Sequence, residues 1–194
     1  MPDETNPWIT LGTERHHEDR YFGVDVDRVY HRSGREHPHT ALRFKVHGVA
    51  VLPVDGEGQV HLIGQYRYVL ERFTWEVIRG SDPLDRDPLT TAQRELSEET
   101  GLEAEHWLEV LRLEASPGIT DEIAPCFVAW GLKQRGDHPD AQESLNRRRL
   151  AFGEAVAEAL AGTIKDAASV ALLLALDARA RRGALPDDLA RLLR

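Results

Sequence analysis

A single cysteine, Cys126, stands in the 194-residue chain, so no intrachain disulfide can form and the fold must be held by its core. The cysteine lies in the apolar run Ala124-Pro125-Cys126-Phe127-Val128-Ala129, where a buried thiol in a reducing compartment is the expected state. Basic residues are also scarce: 24 Lys and Arg face 33 Asp and Glu, for a formal net charge of −9. That deficit argues against a general nucleic-acid or anionic-membrane binder, because affinity for phosphate backbones needs basic surface. Long apolar runs are missing. Residues 171–176, with an alanine-rich approach from Ala167, are far too short for a bilayer span and read as a core helix. The start, Met1-Pro2-Asp3-Glu4-Thr5-Asn6, lacks the basic and apolar regions of a signal peptide, so a cytoplasmic location is expected. There is no internal repeat and no low-complexity linker. At 41% apolar, the chain can bury one good core.

What the chain does have is carboxylate concentrated in one place. Glu95, Glu98 and Glu99 stand at i, i+3 and i+4, and with successive helical residues advancing by about 100° they project from one arc. Three like charges there repel, and a divalent cation that favours oxygen relieves the repulsion. The spacing predicts a helix over residues 88–100: Asp87 suits the N-cap, Pro88 the first helical position and Gly101 the left-handed residue past the last turn. Leu89, Ala92 and Leu96 form the apolar stripe that anchors it.

Before this helix the pattern is of strands. Residues 21–30 alternate with period two, residues 31–35 read as a turn, and residues 40–52 as a long strand or strand pair. Asp55-Gly56-Glu57-Gly58 reads as a hairpin turn into a strand over residues 59–67. After the helix, residues 107–114 and 123–132 read as strands. Residues 133–149 read as a long loop, and residues 154–161, 165–182 and 187–194 as helices. Strands and then helices around a central helix indicate an α+β fold with a mixed sheet.

Gly80, followed by Arg94-Glu95-Leu96-Ser97-Glu98-Glu99-Thr100-Gly101-Leu102, is similar to the Nudix box: Gly, five residues, Glu, seven residues, Arg-Glu-apolar-x-Glu-Glu-x-Gly-apolar. Arg86 stands where the pattern has its upstream Glu, and the other fixed positions match. The resemblance implies an α/β/α sandwich preceded by N-terminal antiparallel strands, with residues 1–46 as a dimerisation and substrate-pocket region and residues 47–194 as the hydrolase domain.

Segments outside the box narrow the likeness. Gln65-Tyr66-Arg67-Tyr68, Trp75-Glu76-Val77-Ile78-Arg79-Gly80, Ser116-Pro117-Gly118-Ile119-Thr120-Asp121-Glu122 and Gly162-Thr163-Ile164-Lys165-Asp166-Ala167 resemble segments of ADP-ribose pyrophosphatases and related nucleotide-sugar hydrolases. Where those enzymes have Pro two residues before the box Gly, this chain has Ile78, and Arg79 replaces a small residue.

The resemblance implies hydrolysis of the diphosphate link of a nucleoside diphosphate sugar, ADP-ribose-like or GDP-mannose-like, to a nucleoside monophosphate and a sugar phosphate. Hard carboxylate oxygens suit Mg²⁺ or Mn²⁺ as cofactor. By the same likeness Glu95 and Glu99 are the principal metal ligands, Glu98 a further one, and the Arg79 carbonyl, just before Gly80, completes the set. Alignment of residues 149–155 places Glu143 as the general base. Arg67 is expected either to clamp the diphosphate or to sit in a surface ion pair, and Glu122 to face substrate or metal. In the resembling enzymes the N-terminal sheet builds a homodimer. The paired histidines His16-His17 and His37-x-His39 lie in polar turns away from any cysteine, which disfavours zinc. Two other functions remain open: a Nudix sensor that binds without hydrolysis, which Arg86 favours, and a nucleoside triphosphate housecleaning pyrophosphatase.

Overall fold

The computed structural model describes residues 5–135 and 146–194, and the chain divides into two units. The first comprises residues 1–46 and 114–122, the second residues 47–113 and 123–194.

In the first unit β1 (Trp8–Glu18), β2 (Phe22–His31) and β3 (Arg35–Phe44) form an antiparallel sheet in that order. The alternation along β2 has an unusual sense. Its buried side carries Gly23, Asp25, Asp27 and Val29, whereas Phe22, Val24 and Val26 stay half-exposed. Buried carboxylates need partners. Arg15 forks onto Asp25, and Arg43 donates to Asp27 at 3.0 Å with Thr13 on the same carboxyl. β1 was not anticipated from sequence, because every one of its residues is exposed and no apolar alternation marks it.

The second unit is built on a mixed sheet in the order β10-β5-β4-β9-β8. Its strands are β4 (Val46–Val54), β5 (Gln59–Arg67), β8 (Leu102–Glu114), β9 (Ile123–Gln134) and β10 (Asn146–Ala151). β6 (Arg72–Glu76) pairs with β5 and β7 (Ile78–Pro83) with β4. The region read as a strand over residues 40–52 is a pair, broken between Phe44 and Val46. β4 runs parallel to β9, with Ala50 opposite Cys126 and Leu52 opposite Val128.

Both faces of β4 and β9 are buried, which explains their near-continuous apolar sequence. Val49, Val51, Phe127 and Ala129 pack with Ala92 and Leu96 of α1 (Pro88–Thr100). Leu52, Val54, Cys126 and Val128 pack with α2 (Phe152–Leu160), α3 (Ala167–Arg181) and α4 (Asp187–Leu192), through residues such as Phe152, Leu172 and Leu189. One helix on one face and three on the other make the expected α/β/α sandwich. A fully buried leucine such as Leu96 or Leu172 contributes about 2 kcal/mol through removal of its surface from water. The Cys126 thiol is buried, and desolvation pushes its pKa up to about 12, so it is an inert core group. Among the described residues no helix is long and apolar enough to cross a membrane.

Candidate active site

α1 begins and ends where its caps dictate. The Asp87 side chain accepts from the Thr90 amide at 3.2 Å and Pro88 takes the first turn. Gly101, at φ 72°, donates its N–H to Ser97 at 2.8 Å. Thr91, Ala92, Leu96 and Thr100 face the core. This fixes the roll of the helix, and with it the direction of the acidic arc.

Gly80, in β7, lies directly against that arc. A Cβ built on it would fall 1.9 Å from the Glu95 carboxyl carbon, so the backbone and the carboxylate approach more closely than any side chain at 80 permits. The Glu95 side chain is 13% exposed, and burial raises its pKa against the opposing pull of Arg94. Arg94 is the hub. Its Nη2 reaches Glu95 at 2.7 Å and Asp82 at 3.1 Å, and its Nη1 reaches Glu98 at 2.6 Å.

The oxygen-only donors of the box suit a hard divalent cation, whereas the soft thiol of Cys126 is sealed in the core. Among the described residues, however, no three acidic, histidine or cysteine side chains are drawn together as a ready-made cage. Glu95 and Glu98 are turned to Arg94, with which a cation would compete.

Arg67, at the end of β5, forks onto Glu76 of β6, its Nε at 2.9 Å and its Nη2 at 2.5 Å from the two carboxylate oxygens. Arg67 thus forms an ion pair, and with a buried carboxylate instead of a surface one. Glu99 and Asp166 stand near enough for their charges to raise the Arg67 pKa further, after the Glu76 hydrogen bond. The Arg79 side chain reaches Asp166 at 3.5 Å, and Asp166 is the N-cap of α3, bonded to the amide and hydroxyl of Ser169. Arg67 and Arg79, the residue preceding Gly80, thus share Asp166 as a neighbouring charge.

The Arg67–Glu76 pair has a testable energetic consequence. Glu76 is 3% exposed, and although burial would raise its pKa, Arg67 and Thr74 hold it below the ordinary value of 4.5. Arg67→Met strands this carboxylate and is expected to cost about 2 kcal/mol at neutral pH, the partly exposed guanidinium reducing the usual cost of a broken buried pair. A group depressed in the fold contributes fully above its unfolded pKa and loses that contribution as pH falls through its folded one. The gap between wild type and Arg67→Met should therefore close in acid. Urea denaturation at pH 7 and pH 3 measures both, and equal stabilities at pH 7 would contradict the assignment.

Glu122 belongs to the first unit, at the end of the segment that follows β8. Glu143 lies outside the described residues. A cavity of about 470 Å³ opens on the outer flank of α1, lined by Gln93, Arg94, Glu98, Trp107 and Arg135 among others.

Sequence reasoning gave no role to Asp82 or His47, and named Asp166 only within a segment of the family resemblance. His47 is buried, its pKa lowered by desolvation, with Nε2 3.3 Å from the Thr91 hydroxyl. A lone histidine and a lone aspartate, each in a strand, carry no spacing signal. Asp166 could have been recognised as an N-cap, three residues before Ser169.

A family model for the NUDIX domain matches residues 45–165. An ADP-ribose pyrophosphatase of Mycobacterium tuberculosis is 33% identical over 135 residues, 67% of this chain and 64% of that protein, so the match spans a little under two thirds of the relative's length. A methanol dehydrogenase activator of Bacillus methanolicus is 33% identical over 149 residues, 76% of this chain and 80% of that one. The fold is shared with a crystal structure of an ADP compounds hydrolase, at a TM-score of 0.81 and 19% identity over 93% of this chain and 98% of that one. The matched residues include the capped helix, the glycine against Glu95 and both arginines before the box, and the chain belongs to the NUDIX domain family.

Proposed function

We propose that the chain hydrolyses the diphosphate link of a nucleoside diphosphate sugar, ADP-ribose-like or GDP-mannose-like, with Mg²⁺ or Mn²⁺ as cofactor. The observation that carries this reading is Glu95 of the acidic arc set against Gly80, with Arg67 within electrostatic range of Glu99 and Arg79 3.5 Å from Asp166. The name of the M. tuberculosis relative supports the substrate class.

Glu95 and Glu99, with Glu98 and the Arg79 carbonyl, would hold the cation. When bound, it offsets phosphate charge and activates water for attack. The chain's own residues do the rest. Gly80 leaves room for the Glu95 carboxylate, and Arg94 sets the rotamers of Glu95 and Glu98. Arg67, already fixed by Glu76, presents its remaining N–H groups to phosphate oxygens. Water forms a bond to one phosphorus while the bridging P–O bond breaks, giving a nucleoside monophosphate and a sugar phosphate, and Glu143 takes the water's proton. Glu122 is assigned to the substrate side.

A homodimer is part of the proposal. Trp8, Ile9 and Leu11 are exposed on β1, and the apolar side of β2 is half-bare, a surface that a second copy would cover.

The test is a panel of nucleotide sugars and nucleoside triphosphates with Mg²⁺, products identified by their phosphates. Release of a nucleoside monophosphate and a sugar phosphate, abolished by chelator, is expected. Turnover of triphosphates alone would replace the proposal with a housecleaning role, and tight binding without turnover would replace it with a sensor.

A further inference from the structure

The box pattern carries an acidic residue at position 86, and this chain has Arg86 there. The substitution reverses the charge at the one fixed position of the box that this chain does not match. The other fixed positions of the box match, so the box has one negative charge fewer than the pattern gives it.

Asp82 is placed to supply it. Its Oδ2 accepts from Arg94 Nη2 at 3.1 Å and from the Thr91 hydroxyl at 3.0 Å. Thr91 is fully buried, and its hydroxyl also lies 3.4 Å from the Asp87 carbonyl and 3.3 Å from Nε2 of the buried His47. The Ser81 carbonyl accepts from the same Arg94 nitrogen at 3.3 Å. The Arg86 charge is also felt at Asp82. One carboxylate therefore holds Arg94 and is itself held from the core by a threonine that a histidine contacts.

We infer that Asp82 is the positioning residue of this site: it takes over the negative charge that the box pattern has at position 86 and, held by Thr91 and His47, fixes the Arg94 guanidinium that orients Glu95 and Glu98. Asp82 acts through Arg94 and touches neither substrate nor cation. An arginine with two carboxylates to satisfy on one helix has several rotamers open to it. A third carboxylate, on a different element and itself pinned, selects one of them.

The inference rests on the proposed hydrolysis for one of its readouts and is independent of it for another. Asp82→Asn keeps the shape and removes the charge. With the best nucleotide sugar of the panel it is expected to lower kcat roughly tenfold, the effect of losing one charge-assisted hydrogen bond, with KM little changed. Adding Arg86→Glu to this variant restores the box charge and should recover most of the loss, which a merely structural role for Asp82 does not allow.

In excess chelator and without substrate, amide hydrogen exchange across residues 80–100 should rise in Asp82→Asn and fall back in the double variant. Should Asp82→Asn fail to fold, Thr91→Val fills the same space without the hydroxyl, and a loss of about two- to threefold in the same direction is expected. Wild-type kcat and exchange in Asp82→Asn, or a double variant no better than the single one, would overturn the inference. If the wild type turns over no nucleotide sugar, the functional reading fails, and the exchange measurement alone decides the role of Asp82.

Discussion

Glu99→Gln is expected to lower turnover by about three orders of magnitude while leaving the fold intact. The substitution preserves volume and removes one charge from the arc of α1, and it touches none of the helix's core residues, Thr91, Ala92, Leu96 and Thr100. Both arginines before the box keep their carboxylate partners, Glu76 and Asp166. Steady-state kinetics on the best nucleotide sugar, with circular dichroism to confirm folding, measures the effect. Undiminished activity in the variant, or in the wild type under excess chelator, would refute the proposed chemistry.

Glu143→Gln is expected to depress kcat about a hundredfold with KM nearly constant, since a general base acts on the water and not on substrate affinity. The contrast is with a variant that disturbs the diphosphate's own contacts. There KM rises first, because such contacts are made in ground and transition states alike. A pH profile adds a second axis: the acid limb of kcat, which reports the base in the bound complex, should vanish in Glu143→Gln. A near-normal kcat would transfer the role to another carboxylate, with Glu122 next in line.

Local chemistry was legible in the sequence, and pairing at a distance was not. α1 begins at Pro88 and ends at Thr100 as its caps foretell, because Asp87, Pro88 and Gly101 act on their immediate neighbours. The hairpin at residues 55–58 was equally readable. Asp55 accepts from the Glu57 amide at 2.9 Å and the Gln59 amide at 3.1 Å, and Gly58 takes φ 73°. The parallel contact of β4 with β9 joins residues more than seventy positions apart, and no alternation announces it. β1 escaped for a different reason: it is held by backbone pairing with β2 and buries nothing of its own.

In the site, the carboxylates and glycine of the box were visible from spacing. The partners supplied by other elements were not. Arg94 belongs to the motif, yet its bond to Asp82 crosses from helix to strand. The partner of Arg67 was equally hidden, because Glu76 lies on the adjacent strand and a guanidinium serves a carboxylate and a phosphate equally well.

The single guanidinium among three carboxylates also separates two processes that acidic metal sites often join. A bare cluster of like charges would make the protein depend on its ion to fold, so that chelation would unfold it. Here Arg94 carries the opposing charge inside the chain, in contact with Asp82, Glu95 and Glu98. Assembly of the domain can precede the arrival of any cofactor, and an ion entering later exchanges partners with a side chain instead of completing an unfinished structure. Loading then becomes a reversible property of a finished protein, governed by the concentration of free cation around it.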